Sequence, residues 1–308
     1  MKPATAELLV RFWGVRGSIP SPGPETVRYG GNTPCVELRI GDELVILDAG
    51  SGIRRLGLAL IRELEEKTLS TTLLISHTHW DHIQGLPFFR PAYLPASRLR
   101  IFGAPGTRSR LRSALGSQMD PNQFPVSLQC LSGICAIDEF AAKATTIGSF
   151  SVGTMGLNHP GGCTGFRISA AGTSIAYLPD HESYRGAINS SDPAVATTAR
   201  RAEADLVRFL EGCDLLILDS QYDRTEYPAH IGWGHGCLDD SVALALRAGV
   251  ASLALFHHDP NHDDAQIDAM LEQARRQVVE VGSSLRVWAA CERAKIVPAS
   301  RQKRLAAA

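Results

Sequence analysis

Six consecutive residues, His77-Thr78-His79-Trp80-Asp81-His82, constrain this chain more than any other part of its sequence. Three imidazoles and one carboxylate stand in a single short stretch, directly after the apolar run at residues 73–76. Neutral imidazole binds zinc, iron or manganese, and a neighbouring carboxylate adds charge that favours a second divalent ion. Solvated polar turns rarely contain such a density of ligand side chains. The stretch therefore predicts a metal-binding loop at the end of a strand.

Apolar runs and turn residues divide the rest of the chain into strands and helices. Strand patterns occur at residues 8–12, 35–40, 44–47, 73–76, 151–157, 165–170, 174–178, 215–218 and 252–256. Helix patterns occur at residues 53–67, 108–118, 194–211, 239–248 and 264–280. The segment from residue 84 to 148 contains many prolines and has the least regular pattern, and it is expected to mix short strands with the helix at residues 108–118. This mixture predicts a layered α/β protein, in which the loops after strands carry the chemistry.

The charge balance and the absence of long apolar runs limit the classes of partner. With 31 basic and 32 acidic residues, nothing in the overall charge favours wrapping a long nucleic acid, so we expect a small substrate. No run of 18 apolar residues and no signal-like segment occurs, which predicts a cytoplasmic location and no membrane partner. The seven cysteines are scattered singly and are expected to be reduced thiols. We expect one domain over residues 1–298 and a frayed tail over residues 299–308.

The motif at residues 77–82 resembles the signature of the metallo-β-lactamase superfamily. The resemblance implies an α/β fold, a four-layer αββα sandwich, with two divalent ions at one edge. Zn²⁺ is the expected metal, with Mn²⁺ or iron as alternatives. In that family a first ion takes two histidines of the motif and one later histidine, a carboxylate bridges, and a second ion takes the Asp-His pair and a final histidine. The corresponding residues here are His77, His79 and His159, then Asp180, then Asp81, His82 and His257.

Two adjacent histidines compete for the place of the last ligand. His257 directly follows the apolar strand at residues 252–256, as the last ligand of the family does, and we prefer it to His258. His258 would then orient a ligand imidazole through a hydrogen bond. His181 follows Asp180 and is expected to orient that ligand or to face the substrate.

Three residues that precede the metal motif have alternative interpretations. Asp48 matches an early aspartate of the family that supports the metal loop without binding metal, but capping of the following helix explains it equally well. Arg16 and Asn32 lie on the long N-terminal loop, in two segments that extend the resemblance. They are predicted to contact the phosphate or the base of a substrate, and a structural role in the loop is an equal alternative.

The segment Gly-Trp-Gly-His-Gly at residues 232–236 is similar to the phosphodiesterase branch of the superfamily. That branch contains the tRNA 3′-end nucleases (tRNase Z) and the phosphoribosyl cyclic phosphate diesterases. The corresponding histidine there helps to bind phosphate and protonates the leaving oxygen, so His235 is the expected general acid. Gly236 replaces the usual serine, which removes one hydroxyl contact to phosphate. The alternative is that His235 only packs at a glycine-rich turn.

These features predict a two-metal phosphodiesterase. Two ions would share a water of lowered pKa, and its hydroxide would attack phosphorus while His235 protonates the leaving oxygen; Asp81 completes the catalytic set. The expected substrate is a small phosphodiester such as a cyclic nucleotide or another cyclic phosphate, and the resemblance also implies a homodimer. Two alternatives stay open. One is hydrolysis of an ester, lactone or thioester, which needs His235 less, and the other is a weakly active metal-binding signalling protein.

Overall fold

The structure, a computed structural model, describes residues 7–64 and 68–300 of the chain. Fourteen strands occur within these residues. They are β1 (Leu9–Gly14), β2 (Cys35–Ile40), β3 (Glu43–Leu47), β4 (Ser70–Leu74), β5 (Arg98–Gly103), β6 (Ile134–Glu139), β7 (Ala144–Ile147), β8 (Phe150–Leu157), β9 (Cys163–Ala170), β10 (Thr173–Leu178), β11 (Leu215–Asp219), β12 (Ser252–Phe256), β13 (Arg286–Ala289) and β14 (Lys295–Ile296).

Helices connect or flank most of these strands. The α-helices are α1 (Gly52–Leu64), α2 (Trp80–Ile83), α3 (Arg108–Ser117), α4 (Arg185–Ile188), α5 (Pro193–Leu210), α6 (Leu238–Arg247) and α7 (Asp264–Glu280). Short 3₁₀ helices lie at Pro24–Thr26, Leu86–Phe88, Arg90–Tyr93, Leu128–Cys130 and Tyr227–Ala229.

The strands form two mixed seven-stranded sheets with related topologies. The first sheet has the order β14-β1-β2-β3-β4-β5-β6, and the second has the order β13-β12-β11-β10-β9-β8-β7. The pairs from β3 to β6 are parallel in the first sheet, and the pairs from β10 to β13 are parallel in the second. The remaining pairs in each sheet are antiparallel. Strands β4, β10 and β12 therefore end in loops where α/β proteins carry their sites.

Three apolar clusters account for the layers. The central cluster lies between the two sheets and contains Phe12, Phe166, Tyr177 and Phe256. A second cluster packs α1 and α3 on the outer face of the first sheet, and a third packs α5, α6 and α7 on the outer face of the second. Burial of apolar area is the main force that holds such layers together. The predicted αββα sandwich is confirmed.

Local sequence signals explain where the long helices begin. Asp192 caps α5 by accepting a hydrogen bond from the amide of Ala194, and Pro193 occupies the first helical position. Asp263 caps α7 by accepting from the amide of Gln266. These two helices begin within one residue of their predicted starts. The predicted end of α1 at residues 65–67 lies outside the described residues.

The proline-rich middle contains three strands, β5, β6 and β7, as expected of a segment with short strands, although the sequence did not give their bounds. Strand β5 alternates exposed arginines with buried Leu99 and Ile101, and β6 pairs beside it as the edge strand of the first sheet. Strands β13 and β14 and the short helices α2 and α4 were not predicted. Of the predicted tail, Ser300 is buried, and residues 301–308 lie outside the described residues. No helix within the described residues is long and apolar enough to cross a membrane.

Candidate metal centre

The seven predicted ligand residues come from loops that follow four strands. His77, His79, Asp81 and His82 lie on the loop after β4 and in the short helix α2. The other three residues follow β8, β10 and β12, and are His159, Asp180 and His257. Because these strand ends meet at one edge of the sandwich, the side chains converge there from both sheets.

A first group consists of His77, His79, His159 and Asp180, and we call it the triple-histidine group. One potential ligand atom from each residue lies within 4.8 Å of the others. His159 Nε2 is 3.0 Å from His79 Nδ1, and Asp180 Oδ2 is 3.5 Å from His77 Nε2 and 3.6 Å from His159 Nε2. The arrangement offers three imidazoles and one carboxylate to a single ion.

A second group, the Asp81 group, consists of Asp81, His82 and His257, also within 4.8 Å. Asp81 Oδ2 lies 3.2 Å from His82 Nε2 and 3.1 Å from His257 Nε2. The other oxygen of Asp180, Oδ1, lies 3.0 Å from His82 Nε2 and 3.4 Å from His257 Nε2. Asp180 thus presents one oxygen to each group, which is the geometry of a carboxylate that bridges two ions.

Unpartnered polar atoms at the centre test whether metal ions fit. His77 Nε2, His82 Nε2 and Asp180 Oδ1 are buried and have no hydrogen-bond partner, although the last two atoms lie close together. The outer ring nitrogen of His82 is held by Asp48 at 2.8 Å, and that of His159 by the carbonyl of Gly234 at 2.9 Å. Such bonds leave a lone pair on each inner nitrogen, directed at carboxylate oxygens. Divalent cations between these atoms would satisfy them, so the residues fit two metal ions.

The electrostatics of the site agree with that conclusion. Burial by itself raises the pKa of Asp180, but the surrounding histidines, His257 and His82 above all, hold it well below its usual value. Burial lowers the pKa of His82, yet the carboxylates of Asp180, Asp81 and Asp48 raise it well above its usual value. Negative charge is therefore concentrated around the His82 ring, and a divalent ion bound there would neutralise it.

Asp48 supports the loop after β4. Its hydrogen bonds go to that loop and to Tyr177, and within the described residues none goes to an amide at the start of α1. Its buried carboxylate accepts hydrogen bonds from the amide of Ser76 at 2.7 Å, the hydroxyl of Ser76 at 2.8 Å and the hydroxyl of Tyr177 at 2.8 Å. It also contacts His82 Nδ1, so it orients one predicted ligand directly. This role of Tyr177 was not predicted, because a tyrosine within a strand of mostly apolar residues is typical of the core. Burial, and then Asp48, raise the pKa of its phenol well above its usual value.

His235 is paired with a buried carboxylate that was not predicted as a functional residue. Its Nδ1 lies 3.0 Å from Asp219 Oδ2, and its ring stacks on that of His257 at 4.9 Å. Burial lowers the pKa of His235, but Asp219 opposes this and raises it to about 9. Asp219 is wholly buried and also accepts from the amides of His181 and Gln221. The only sequence signal for it is an aspartate at the end of an otherwise apolar strand.

The two candidates for the last ligand separate clearly. His257 has a left-handed backbone conformation, with φ of 60°, and its side chain points into the Asp81 group while Nδ1 is held by Gln221 Oε1 at 2.9 Å. His258 points away, with Nε2 against the carbonyl of Ala290 at 2.8 Å, and burial lowers its pKa to about 3. The structure therefore brings only His257 to the site. Gln221 was not predicted.

His181 lies behind the site rather than facing it. Its Nδ1 accepts a hydrogen bond from the amide of Asn158 at 3.3 Å, and burial lowers its pKa to about 4. The bond ties the loop after β10 to the loop that carries His159. His181 is therefore a neutral support between two ligand loops.

The polar groups of Arg16 and Asn32 have partners within the protein, which favours the structural alternative over the predicted substrate contacts. The Arg16 guanidinium is wholly buried, and donates to the carbonyls of Gly30, Asp259 and His262. The Asn32 amide nitrogen donates to both carboxylate oxygens of Glu292, at 3.0 Å each. Both side chains use their polar groups to hold the N-terminal loop, as the alternative interpretation stated.

The N-terminal loop itself does reach the site. The amide of Ser18 donates to Asp81 Oδ2 at 2.9 Å, beside the Asp81 group. A side chain at Gly17 would place its first carbon 2.4 Å from His257 Nδ1, so only glycine fits there. The loop therefore positions Asp81 through its backbone.

Comparison with known proteins places this geometry among related chains. Residues 44–258 match the family described as the beta-lactamase superfamily domain. Ribonuclease Z of Thermoplasma acidophilum is 24% identical over 310 residues, which cover 91% of this chain and 94% of that protein. The metallo-beta-lactamase fold protein YhfI of Bacillus subtilis has a TM-score of 0.67 at 18% identity, over 94% of this chain and 99% of that one. A diphosphatase from the PhnP family has a TM-score of 0.61 at 18% identity, over 94% and 97%.

Proposed function

This chain belongs to the beta-lactamase superfamily, and from that premise we propose that it is a hydrolase that cleaves phosphodiesters with two divalent metal ions. The observation that carries the proposal is the pairing of His235 with Asp219 beside two ligand groups that share Asp180. The similarity to a ribonuclease Z along nearly the whole of both chains supports phosphodiesters as the substrate class.

Each ion site has its own set of side chains. The triple-histidine group would hold one ion and the Asp81 group the other, with Asp180 shared between them. Zn²⁺ is the proposed metal, and Mn²⁺ or iron suits the same ligands. When bound, two such ions supply an activated water and neutralise the negative charge of a phosphodiester.

The remaining steps belong to residues of this chain. His235 carries the proton that the departing alkoxide needs, and the Asp219 carboxylate keeps the ring charged and correctly oriented. The Ser18 amide holds the Asp81 carboxylate in place, and Gln221 holds the ring of His257 through Nδ1. The Glu182 carboxylate accepts hydrogen bonds from the amides of Gly232 and Gly234, and these bonds fix the loop that carries His235.

A small phosphodiester, such as a cyclic nucleotide or another cyclic phosphate, is the proposed substrate. The balanced charge of the chain, 31 basic and 32 acidic residues, supports a small substrate over a long nucleic acid. An RNA 3′ end is the second candidate, favoured by the name of the related ribonuclease Z.

Hydrolysis assays on metal-reconstituted protein test the proposal. Bis(p-nitrophenyl) phosphate, 2′,3′- and 3′,5′-cyclic nucleotides and a short RNA would be compared with p-nitrophenyl acetate. We expect phosphodiester hydrolysis that Asp81→Ala abolishes on every substrate, and that His235→Ala abolishes on the cyclic nucleotides and the RNA but largely spares on bis(p-nitrophenyl) phosphate, whose leaving group needs no proton. His235→Ala should keep its bound metal, whereas Asp81→Ala should lose part of it, and metal analysis distinguishes the two causes. Inertness of the metal-replete protein toward every phosphodiester, with hydrolysis of the acetate, would refute the proposal in favour of an esterase.

A further inference from the structure

A chain of hydrogen bonds leads from His257 to a buried carboxylate behind it. His257 Nδ1 lies 2.9 Å from Gln221 Oε1, and Gln221 Nε2 donates to Asp259 Oδ2 at 2.9 Å. All three side chains are buried. We call these three residues the amide relay, because the side-chain amide of Gln221 joins the other two. The relay connects the Asp81 group to the loop between β12 and α7.

The Asp259 carboxylate determines which end of the Gln221 amide faces His257. Its Oδ1 accepts hydrogen bonds from the backbone and side-chain nitrogens of Asn261, at 2.8 and 3.0 Å, and its Oδ2 accepts from Gln221 Nε2. A carboxylate has no hydrogen to donate, so the amide nitrogen must point toward it. Gln221 Nε2 also donates to the Tyr222 hydroxyl at 3.1 Å. The amide oxygen is therefore the end that remains for His257.

The direction of the amide determines which ring nitrogen of His257 carries a hydrogen. The amide oxygen can only accept, so Nδ1 carries the hydrogen and Nε2 keeps its lone pair. That nitrogen faces Asp81 Oδ2 at 3.1 Å and Asp180 Oδ1 at 3.4 Å, where the second ion is expected. The backbone of Gly17 covers the bond, since a side chain there would come within 3.1 Å of Gln221 Oε1.

We propose that Asp259 and Gln221 are positioning residues for the second ion, and that they hold His257 in the tautomer whose lone pair points into the Asp81 group. The inference rests on the proposed function, because it takes His257 as a ligand of that ion. The carboxylates of Asp81 and Asp180 by themselves favour a hydrogen on His257 Nε2, which would block the ion. The amide relay opposes them with a fixed acceptor on the other side of the ring.

Asp259→Asn should reverse the amide relay. Both nitrogens of Asn261 can only donate, so they keep the introduced side-chain oxygen, and the introduced nitrogen takes the place of Oδ2. Two donors then face each other until the Gln221 amide turns over, which places Nε2 against His257 Nδ1. The ring hydrogen moves to the nitrogen that should bind metal. We expect the second ion to bind about tenfold to a hundredfold more weakly, and the first ion to bind as in the wild type.

A second substitution distinguishes this mechanism from a general loss of packing. Gln221→Glu alone places a carboxylate against Asp259 and should also weaken binding of the second ion. Combined with Asp259→Asn, the introduced carboxylate accepts from the introduced amide nitrogen and from His257 Nδ1, so the direction of the relay is restored. The double variant should bind the second ion within about threefold of the wild type, whereas two independent structural losses would add.

Competition between the metal-free protein and a chromophoric chelator for Zn²⁺ gives a dissociation constant for each ion. Asp81→Ala identifies the constant of the second ion, and binding of the first ion shows that each variant is folded. Asp223→Asn is the matched control, because Asp223 Oδ1 likewise accepts from a turn and its Oδ2 accepts from Gln266 Nε2 at 3.2 Å. Within residues 7–64 and 68–300, no hydrogen bond joins Gln266 to a ligand histidine. Both constants should therefore stay unchanged in this control.

The outcomes separate the inference from the proposed function, because ion binding is measured without hydrolysis. Unchanged binding of the second ion in Asp259→Asn, or a double variant that binds it as weakly as Asp259→Asn alone, would overturn the inference. If the relay variants behave as expected but no phosphodiester is cleaved, the proposed function fails and the inference stands. If phosphodiesters are cleaved and every relay variant binds both ions as tightly as the wild type, the inference alone fails.

Discussion

Replacement of Asp219 by asparagine isolates the proposed proton transfer. The change conserves volume at a wholly buried site and removes the negative charge 3.0 Å from His235 Nδ1. If the asparagine oxygen takes the place of Oδ2, the hydrogen bond stays but the charge is lost. If the amide nitrogen takes that place, it donates to Nδ1 and favours the neutral ring. Both orientations remove the interaction that keeps His235 protonated.

The size of the effect should depend on the leaving group. General acid catalysis contributes about 10²- to 10⁴-fold to rate, and it matters only when the departing oxygen needs a proton. The leaving group of a thymidine dinucleotide is a sugar alkoxide, whereas the leaving group of thymidine 5′-(p-nitrophenyl phosphate) is a stable phenolate. We expect Asp219→Asn to lower kcat on the dinucleotide by about 10²-fold or more, and on the p-nitrophenyl ester by less than about fivefold.

The assay compares both substrates at equal bound metal, measured on the same samples. Asp214→Asn is the matched control. Asp219 is the last residue of β11, and Asp214 directly precedes the first residue of the same strand. Asp214 is also buried, and its carboxylate accepts a hydrogen bond from the amide of Ser174. It should not discriminate between leaving groups. An equal loss on both substrates in Asp219→Asn would refute the general-acid role and point to a purely structural one.

Three further changes probe the metal centre and its support. Asp180→Asn should reduce bound metal from two ions per chain to one or none, measured by elemental analysis, because an amide nitrogen replaces the oxygen of one group and the remaining oxygen carries no charge. Unchanged stoichiometry would contradict the bridging role. Tyr177→Phe should lower the free energy of unfolding by about 1 to 3 kcal/mol in urea titrations, because Asp48 loses one of its buried hydrogen-bond donors. An unchanged free energy of unfolding would show that this hydrogen bond does not stabilise the fold. Removal of metal with a chelator should lower the melting temperature, since ligand at about 1,000 times its Kd stabilises by roughly 4 kcal/mol; identical melting curves would argue against binding to the folded state.

The fold and the convergence of the predicted ligands could be anticipated because both depend on local patterns. Each of His159, Asp180 and His257 follows an apolar run that the sequence marks as a strand. Their order along the chain, together with the motif at residues 77–82, was enough to predict that they meet. Their roles as metal ligands remain a prediction.

The partners that orient these residues could not be anticipated, because they depend on long-range contacts. Tyr177 and Asp48 are 129 residues apart in the chain, and Gln221 and His257 are 36 apart. An aspartate that ends an apolar strand, as Asp219 does, has no local feature that distinguishes a catalytic partner from a structural one. Arg16 shows the opposite failure, because a loop arginine gives no sign in sequence that three carbonyls will enclose it.

The bounds of β5 and β6, at one side of the first sheet, could not be predicted for a similar reason. Strand β5 carries arginines at alternate positions, and prolines interrupt the segment before it. A half-exposed strand has a weak apolar signal, and only pairing with β4 and β6 makes it regular.

Titration of metal-free protein with Mn²⁺, with bound metal and hydrolysis of bis(p-nitrophenyl) phosphate followed together, tests whether two ions carry out the reaction. We expect two ions to bind per chain and hydrolysis to appear as the second one binds. Protein that holds two ions and hydrolyses no phosphodiester, or that is fully active without any, would contradict this expectation.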